Sequence, residues 1–185
     1  MAGPLGRVTR NRDRQEAERA AFLLTFVCYG TRLPGQLGSV DRLHNRFGDR
    51  LPEANPGRVN RVIRTMRQPA YLLDDQRRRI VLGALRETCQ RWGWTLLAAH
   101  VRTNHVHAVL EADRPAEHVL NCLKAHASRA LNLAGLDQAD RRRWARHGST
   151  RYLWTRDRVS AAVRYVVSNQ GEPMEVWQCS GLDPG

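Results

Sequence analysis

Lysine is almost missing from this 185-residue sequence: of 30 basic residues, Lys124 is the only lysine and the other 29 are arginine. Acidic residues are also scarce, 18 in all, which leaves a formal net charge of +12 and a pI near 11.0. A field of that sign disfavours cationic partners and attracts polyanions, nucleic acid first and an anionic membrane surface second. No strongly amphipathic basic helix supports the membrane alternative. Arginine-rich codon usage raises the same count, so the charge states a preference and not a partner.

Long apolar runs are missing too. None approaches the roughly 18 residues of a membrane span, and the first 20 residues are polar and arginine-bearing, without a signal-peptide core. The expectation is a cytoplasmic protein with no membrane partner. Cysteines are few and scattered, Cys28, Cys89, Cys122 and Cys179. With no C-x-x-C pair, a structural zinc site is disfavoured and free thiols in a reducing compartment are expected. The length suits one domain with a real core.

The chain divides into a charged arm over residues 1–19, one domain over 20–173 and a tail over 174–185. Phe22 to Tyr29 is a continuous β-rich run. Glycine and proline break residues 30–57 into an irregular insertion, and Arg58 to Arg67 forms a short helix. Asp74 or Asp75 caps a helix that Gly93 ends. Two strands follow, Trp94 to Val101 and His105 to Glu111. A helix then begins near Pro115 and runs to about Asn132. Residues Asp137 to Ala145 predict a short basic helix, Thr150 to Trp154 a strand, and Arg156 to Asn169 a last helix capped by Thr155. The order predicts an α+β domain, an antiparallel sheet of the ferredoxin-like or RRM-like kind with helices packed on it.

Two imidazoles stand out in Asn104-His105-Val106-His107. On a strand, successive side chains alternate, so His105 and His107 share a face and Val106 points away. Such a pair can hold one metal ion; a solvated sheet face is the plainer reading of the same pattern. His100 belongs to either face of its strand. On the last helix, Val159, Val163, Val166 and Val167 cluster on one side, while Tyr165 lies about 200° from Val163. A tyrosine that serves only packing belongs with the valines. Asn169, one turn on, lies beside Tyr165 and offers an amide oxygen as third ligand. A neutral set of this kind with open positions suits Mg²⁺ or Mn²⁺, which also bind phosphate oxygen.

These motifs together resemble the single-tyrosine transposases of the HUH (His-hydrophobe-His) nuclease class, REP-associated tyrosine transposases and their insertion-sequence relatives in particular. The resemblance covers about Phe22 to Pro173 in element order as well as motif. It departs before the histidines, where the family's Met-Pro-Asn is here Arg102-Thr103-Asn104. It departs again after the tyrosine, where Tyr-Ile-x-x-Asn-Pro is here Tyr165-Val166-Val167-Ser168-Asn169-Gln170.

What the resemblance implies is a metal-dependent enzyme that nicks and rejoins single-stranded or hairpin DNA through a 5′-phosphotyrosine intermediate. Tyr165 is then the nucleophile, His105, His107 and Asn169 the metal ligands, and a homodimer the expected assembly. The family has a comparable lysine and serine on the helix after the histidines. Lys124, with Ser128 one turn on, is therefore expected to contact phosphate or support the transition state. Arg141, Arg142, Arg143, Arg146, Arg151 and Arg158 are expected to track the DNA backbone, with Trp144 and Trp154 left to the core. Two other readings remain: a nucleic-acid-binding protein that kept the fold but lost turnover, and a metal-dependent phosphoesterase that uses water.

Overall fold

The computed structural model describes residues 19–37 and 53–180. The expected arm, except for Arg19, most of the expected insertion and the end of the expected tail lie outside these residues. Within them the strands are β1 (Ala20–Val27), β2 (Thr95–Val101), β3 (His105–Ala112), β4 (Ser149–Leu153) and β5 (Glu175–Gln178). The helices are α1 (Pro56–Thr65), α2 (Asp75–Trp92), α3 (Ala116–Leu133) and α4 (Arg156–Ser168). The strands form one antiparallel sheet in the order β4-β1-β3-β2-β5. Its first four strands have the split β-α-β order expected of a ferredoxin-like domain.

Alternation divides the sheet into two apolar faces. Phe22, Leu24 and Phe26 of β1, with Val106, Ala108 and Leu110 of β3, pack under α2 and α3. Ala21, Leu23, Leu97, Ala98 and Val109 face the other way, against Ala162, Val163 and Val166 of α4. Local signals set the helix ends. The Asp74 carboxylate accepts from the Arg77 N–H at 2.8 Å, and Gly93 closes α2 in the left-handed region, at φ 68°. Gly148, just before β4, serves close approach: a Cβ there would lie 2.6 Å from the Thr25 carbonyl oxygen.

Two expectations change. Residues 137–145 form no helix, because their backbone groups are committed elsewhere. The Ala145 N–H donates to the Val27 carbonyl at 2.9 Å, the Arg143 carbonyl accepts from the Tyr29 N–H at 2.8 Å, and Trp144 bridges to Cys28. Residues 175–178, expected as part of a tail, instead add an edge strand along β2.

One buried polar cluster holds the irregular segment in place. Asp137 accepts from the Tyr71 hydroxyl at 2.6 Å, from Arg77 at 2.9 Å and from Arg143 at 3.1 Å. Arg143 also donates to Asn132 at 2.7 Å. Burial alone would raise the Asp137 carboxyl, but these three donors outweigh it and hold it below its ordinary value. Asp137→Ala leaves the Arg143 guanidinium buried without a counter-charge and is expected to cost about 3 kcal/mol. Tyr71→Phe, which removes one hydrogen bond, is expected to cost about 1 kcal/mol. Equal urea midpoints for the two variants would refute this ranking.

Candidate active site

The α4 face of the sheet carries the histidines. In β3, His105 pairs with Val27 and His107 with Thr25. Both rings point to the α4 side, while Val106 is buried on the other, as strand alternation requires. The two imidazole centroids are 4.9 Å apart. Each ring is held through Nδ1. The His105 Nδ1–H donates to the Asn104 amide oxygen at 2.7 Å, which leaves Nε2 as the ring's lone-pair nitrogen. The Thr25 hydroxyl holds Nδ1 of His107 at 2.7 Å. Outer hydrogen bonds of this kind orient histidines that ligate metals.

Both imidazoles are pushed down to about 4 from 6.5. Burial is the main cause for each. Arg102 and Arg32 add to it at His105, and the neighbouring histidines add to it at His107. Both rings are therefore neutral at physiological pH, the form that binds metal. Arg32 is a site-adjacent residue that sequence reasoning missed. It is exposed and follows Thr31, whose hydroxyl donates to the Asn104 carbonyl at 3.3 Å. That bond ties the turn after β1 to the start of the histidine strand.

His100 is on the same face, and a bulge puts it there. The β2–β3 register shifts between Leu96 and Ala98. Leu96 therefore faces α2, while Leu97 and Ala98 both face α4. Two residues beyond Ala98, His100 points at the last helix, fully buried. Its Nδ1–H donates to the Val166 carbonyl at 3.0 Å and its Nε2 accepts the Met174 N–H at 3.2 Å. With both nitrogens engaged it is a clamp and not a metal ligand.

The clamped helix presents Tyr165. Val163 and Val166 are buried, whereas Tyr165 is 41% exposed, as its phase on the helix predicts. Its ring meets His107 edge-on, with centroids 5.7 Å apart. The phenol thus stands at the histidine pair of its own chain.

The amide at the pair comes from a different residue than expected. The Gln170 side chain lies near both His105 and His107, where its polar group favours their charged forms, and it donates to the Tyr165 carbonyl at 3.3 Å. Asn169 is exposed at the helix C-cap, where its backbone N–H bonds the Tyr165 carbonyl at 3.2 Å. The expectation assumed that the helix continues through Asn169. It ends at Ser168, and Asn169 leaves helical geometry at φ −108°, ψ 27°, which brings the next side chain back over the strand. Two imidazoles and one amide can hold a divalent ion. Among the described residues, no group of three His, Cys, Asp or Glu side chains does so.

Lys124 is not brought to this site. It lies on α3, across the sheet from the histidines, and is 8% exposed. Its ammonium donates to the carbonyls of Ala145 at 2.6 Å and Arg146 at 3.3 Å. Ser128, beside it, accepts the Trp144 indole N–H at 2.9 Å. The phosphate contact expected of Lys124 gives way to a structural tie. Two of the expected DNA-tracking arginines are structural as well. Arg143 is 3% exposed within the Asp137 cluster. Arg141 donates to Gln68, Pro69 and Ala70 and lies over the Tyr71 ring. Arg142, Arg146, Arg151 and Arg158 are exposed.

Two outcomes follow from this geometry. The folded imidazoles stay neutral to about pH 4, while unfolded ones protonate near 6.5. Between these values the unfolded state binds more protons, so stability falls as pH drops. Denaturation midpoints followed without metal should decline across that window, and less so in His105→Gln/His107→Gln. An identical decline in both proteins would show that other groups are responsible. Lys124→Met leaves two carbonyls without their donor and should cost about 1–3 kcal/mol; an unchanged melting temperature would contradict that role.

A structural search finds a REP-associated tyrosine transposase solved bound to a REP hairpin. It has 12% sequence identity and a TM-score of 0.45, and the match covers 81% of this chain and 66% of that one. This chain therefore spans just under two thirds of that protein's length. No curated protein matches the sequence. The family model for IS200-like transposases matches residues 59–168, more than half of the sequence and inclusive of His105, His107 and Tyr165. The chain belongs to the IS200-like transposase family.

Proposed function

We propose that this protein is a metal-dependent transesterase that cuts and rejoins single-stranded DNA beside a hairpin, with Tyr165 as nucleophile. The observation that carries this reading is the edge-on approach of the Tyr165 ring to His107, 5.7 Å between centroids, within one chain. His105, His107 and Gln170 are the proposed ligands of a Mg²⁺ or Mn²⁺ ion. The donors are neutral, and their Nδ1 partners Asn104 and Thr25 orient the rings. Such an ion polarises the scissile phosphate and offsets the charge that develops on it.

The chain's own groups do the rest. The Tyr165 oxygen forms a bond to phosphorus as the bond from phosphorus to the DNA 3′ oxygen breaks. The phenol gives up a proton and the departing 3′ oxygen gains one. The product is a 5′-phosphotyrosine and a free 3′-hydroxyl. A phenol has a pKa of about 10, so phenolate leaves more readily than an alkoxide. A second 3′-hydroxyl can therefore resolve the link, and strand joining needs no external energy source. Arg32 and Arg102, whose charges reach the histidines, favour the approach of an anionic strand and oppose protonation of the ligands. The homodimer expected from relatives is an assembly question separate from this chemistry, because one chain holds the phenol, both imidazoles and the amide.

Incubation with labelled hairpin DNA and Mn²⁺ or Mg²⁺ should give an adduct that survives denaturation. Tyr165→Phe should abolish it, and Gln170→Ala should lower it by one to two orders of magnitude or raise the metal concentration needed. Nicking without an adduct would point to hydrolysis by water. Binding without nicking would point to a silent DNA-binding protein.

A further inference from the structure

Trp154 was expected in the core and is not there. It is 73% exposed at the end of β4, an edge strand of the sheet. One face of its indole is stacked on Tyr152, with centroids 5.1 Å apart and planes 11° from parallel. Tyr152 is itself held edge-on by the buried Phe22 at 4.9 Å and 84°. The indole is therefore backed through Tyr152 by the core, and its outer face lies open. A single exposed apolar side chain is ordinary on a protein surface; this one is set apart by the ring that backs it and fixes its orientation.

The surrounding charge selects the occupant. Next to Trp154 in the chain are two exposed arginines, Arg156 and Arg158, against one acid, Asp157, while exposed Arg151 is paired with Leu23 and so faces the Tyr165 side of the sheet. An aromatic face flanked by guanidiniums is the pairing by which proteins hold unpaired bases, with the ring taking the base and the cations the backbone. Trp154 also immediately precedes the cap of α4. From Arg156 to Tyr165 that helix advances nine residues, about 14 Å at 1.5 Å per residue. The indole shares a face with Tyr152 and Phe22, opposite the face that carries the Tyr165 ring, so a strand that engages both passes round the β4 edge.

We infer that Trp154, backed by Tyr152, is a stacking platform for one unpaired nucleobase of the DNA strand engaged at Tyr165, with Arg156 and Arg158 on the adjoining phosphates. This assignment rests on the proposed strand-cutting function for the identity of the strand. It adds a site on the opposite end of α4 from the phenol. A base seated on Trp154 anchors the strand at the β4 edge while another part of it lies at Tyr165.

The test uses the full chain, a hairpin with single-stranded flanks and a fully paired duplex. Trp154→Ala should bind the flanked hairpin about 10-fold more weakly, within the roughly 5- to 100-fold range of base–aromatic stacking. Trp154→Phe should retain most of the affinity, and duplex binding should not change. The ratio of wild type to Trp154→Ala should hold steady as salt rises, whereas the loss from Arg156→Gln should shrink. A series of flanks each lacking one base should contain one position whose loss weakens wild type but not Trp154→Ala.

Unchanged affinity in Trp154→Ala overturns the platform. So does an equal loss for duplex and flanked hairpin, or a self-association that Trp154→Ala abolishes while DNA binding stays intact. Adduct formation is read separately. Wild type that forms the Tyr165 adduct while Trp154→Ala binds normally sinks the platform alone. Wild type that binds the flank through Trp154 but forms no adduct sinks the cutting reaction alone.

Discussion

A single buried imidazole fastens the helix of Tyr165 to the sheet. His100 is fully buried, donates to the Val166 carbonyl and accepts from the Met174 N–H. Each nitrogen can play only that role, because a carbonyl only accepts and an N–H only donates, so one neutral tautomer is specified. Val166 adjoins Tyr165, and Met174 begins the return to β5. The same side chain therefore locks the helix end, the turn that carries Gln170 and the start of the edge strand. Val163 and Val166 supply apolar contact, but apolar contact slides easily; the directional bonds of His100 set the helix's position along β2.

The site built on this anchor is partly buried and neutral where it would grip a cation, and positive at its rim. His105 and His107 are kept uncharged mainly by burial, with Arg102 and Arg32 adding repulsion. Carboxylate ligands would place negative charge beside an anionic strand, and a neutral donor set avoids this. Asn104 and Thr25 satisfy the inward nitrogens, which stops the rings from rotating. Most of the work of holding the pair is thus done by the two strands that flank the motif and the residue before it.

Much of this was legible in the sequence, because it rests on short-range periodicity. The alternation around Val106 places both histidines on one face, and the 100° step of a helix separates Tyr165 from Val163 and Val166. Element order also carries the ferredoxin-like sheet. What escaped has mostly long-range causes. One cause is local: the helix ends one residue earlier than its apolar spacing suggests, so that Gln170 and not Asn169 lies near the histidines. Lys124 looks chemical in a chain of arginines, yet its partners are carbonyls about twenty residues away that no local pattern reveals. Arg143 sits in an arginine run that reads as solvated, and is buried because Asp137 and Asn132 turn toward it. The predicted helix over 137–145 fails for the same reason: β1 claims its backbone groups.

The irregularity at Leu97 has a consequence for how one strand can do two jobs. Before it, β2 contributes Leu96 to the large apolar core; after it, the same strand delivers a polar ring to the opposite side. An uninterrupted two-residue repeat from Leu96 would have turned His100 into hydrocarbon under α2, with no carbonyl to meet it. The extra residue acts as a half-step phase change, letting the core and the candidate site be tuned by separate halves of seven residues.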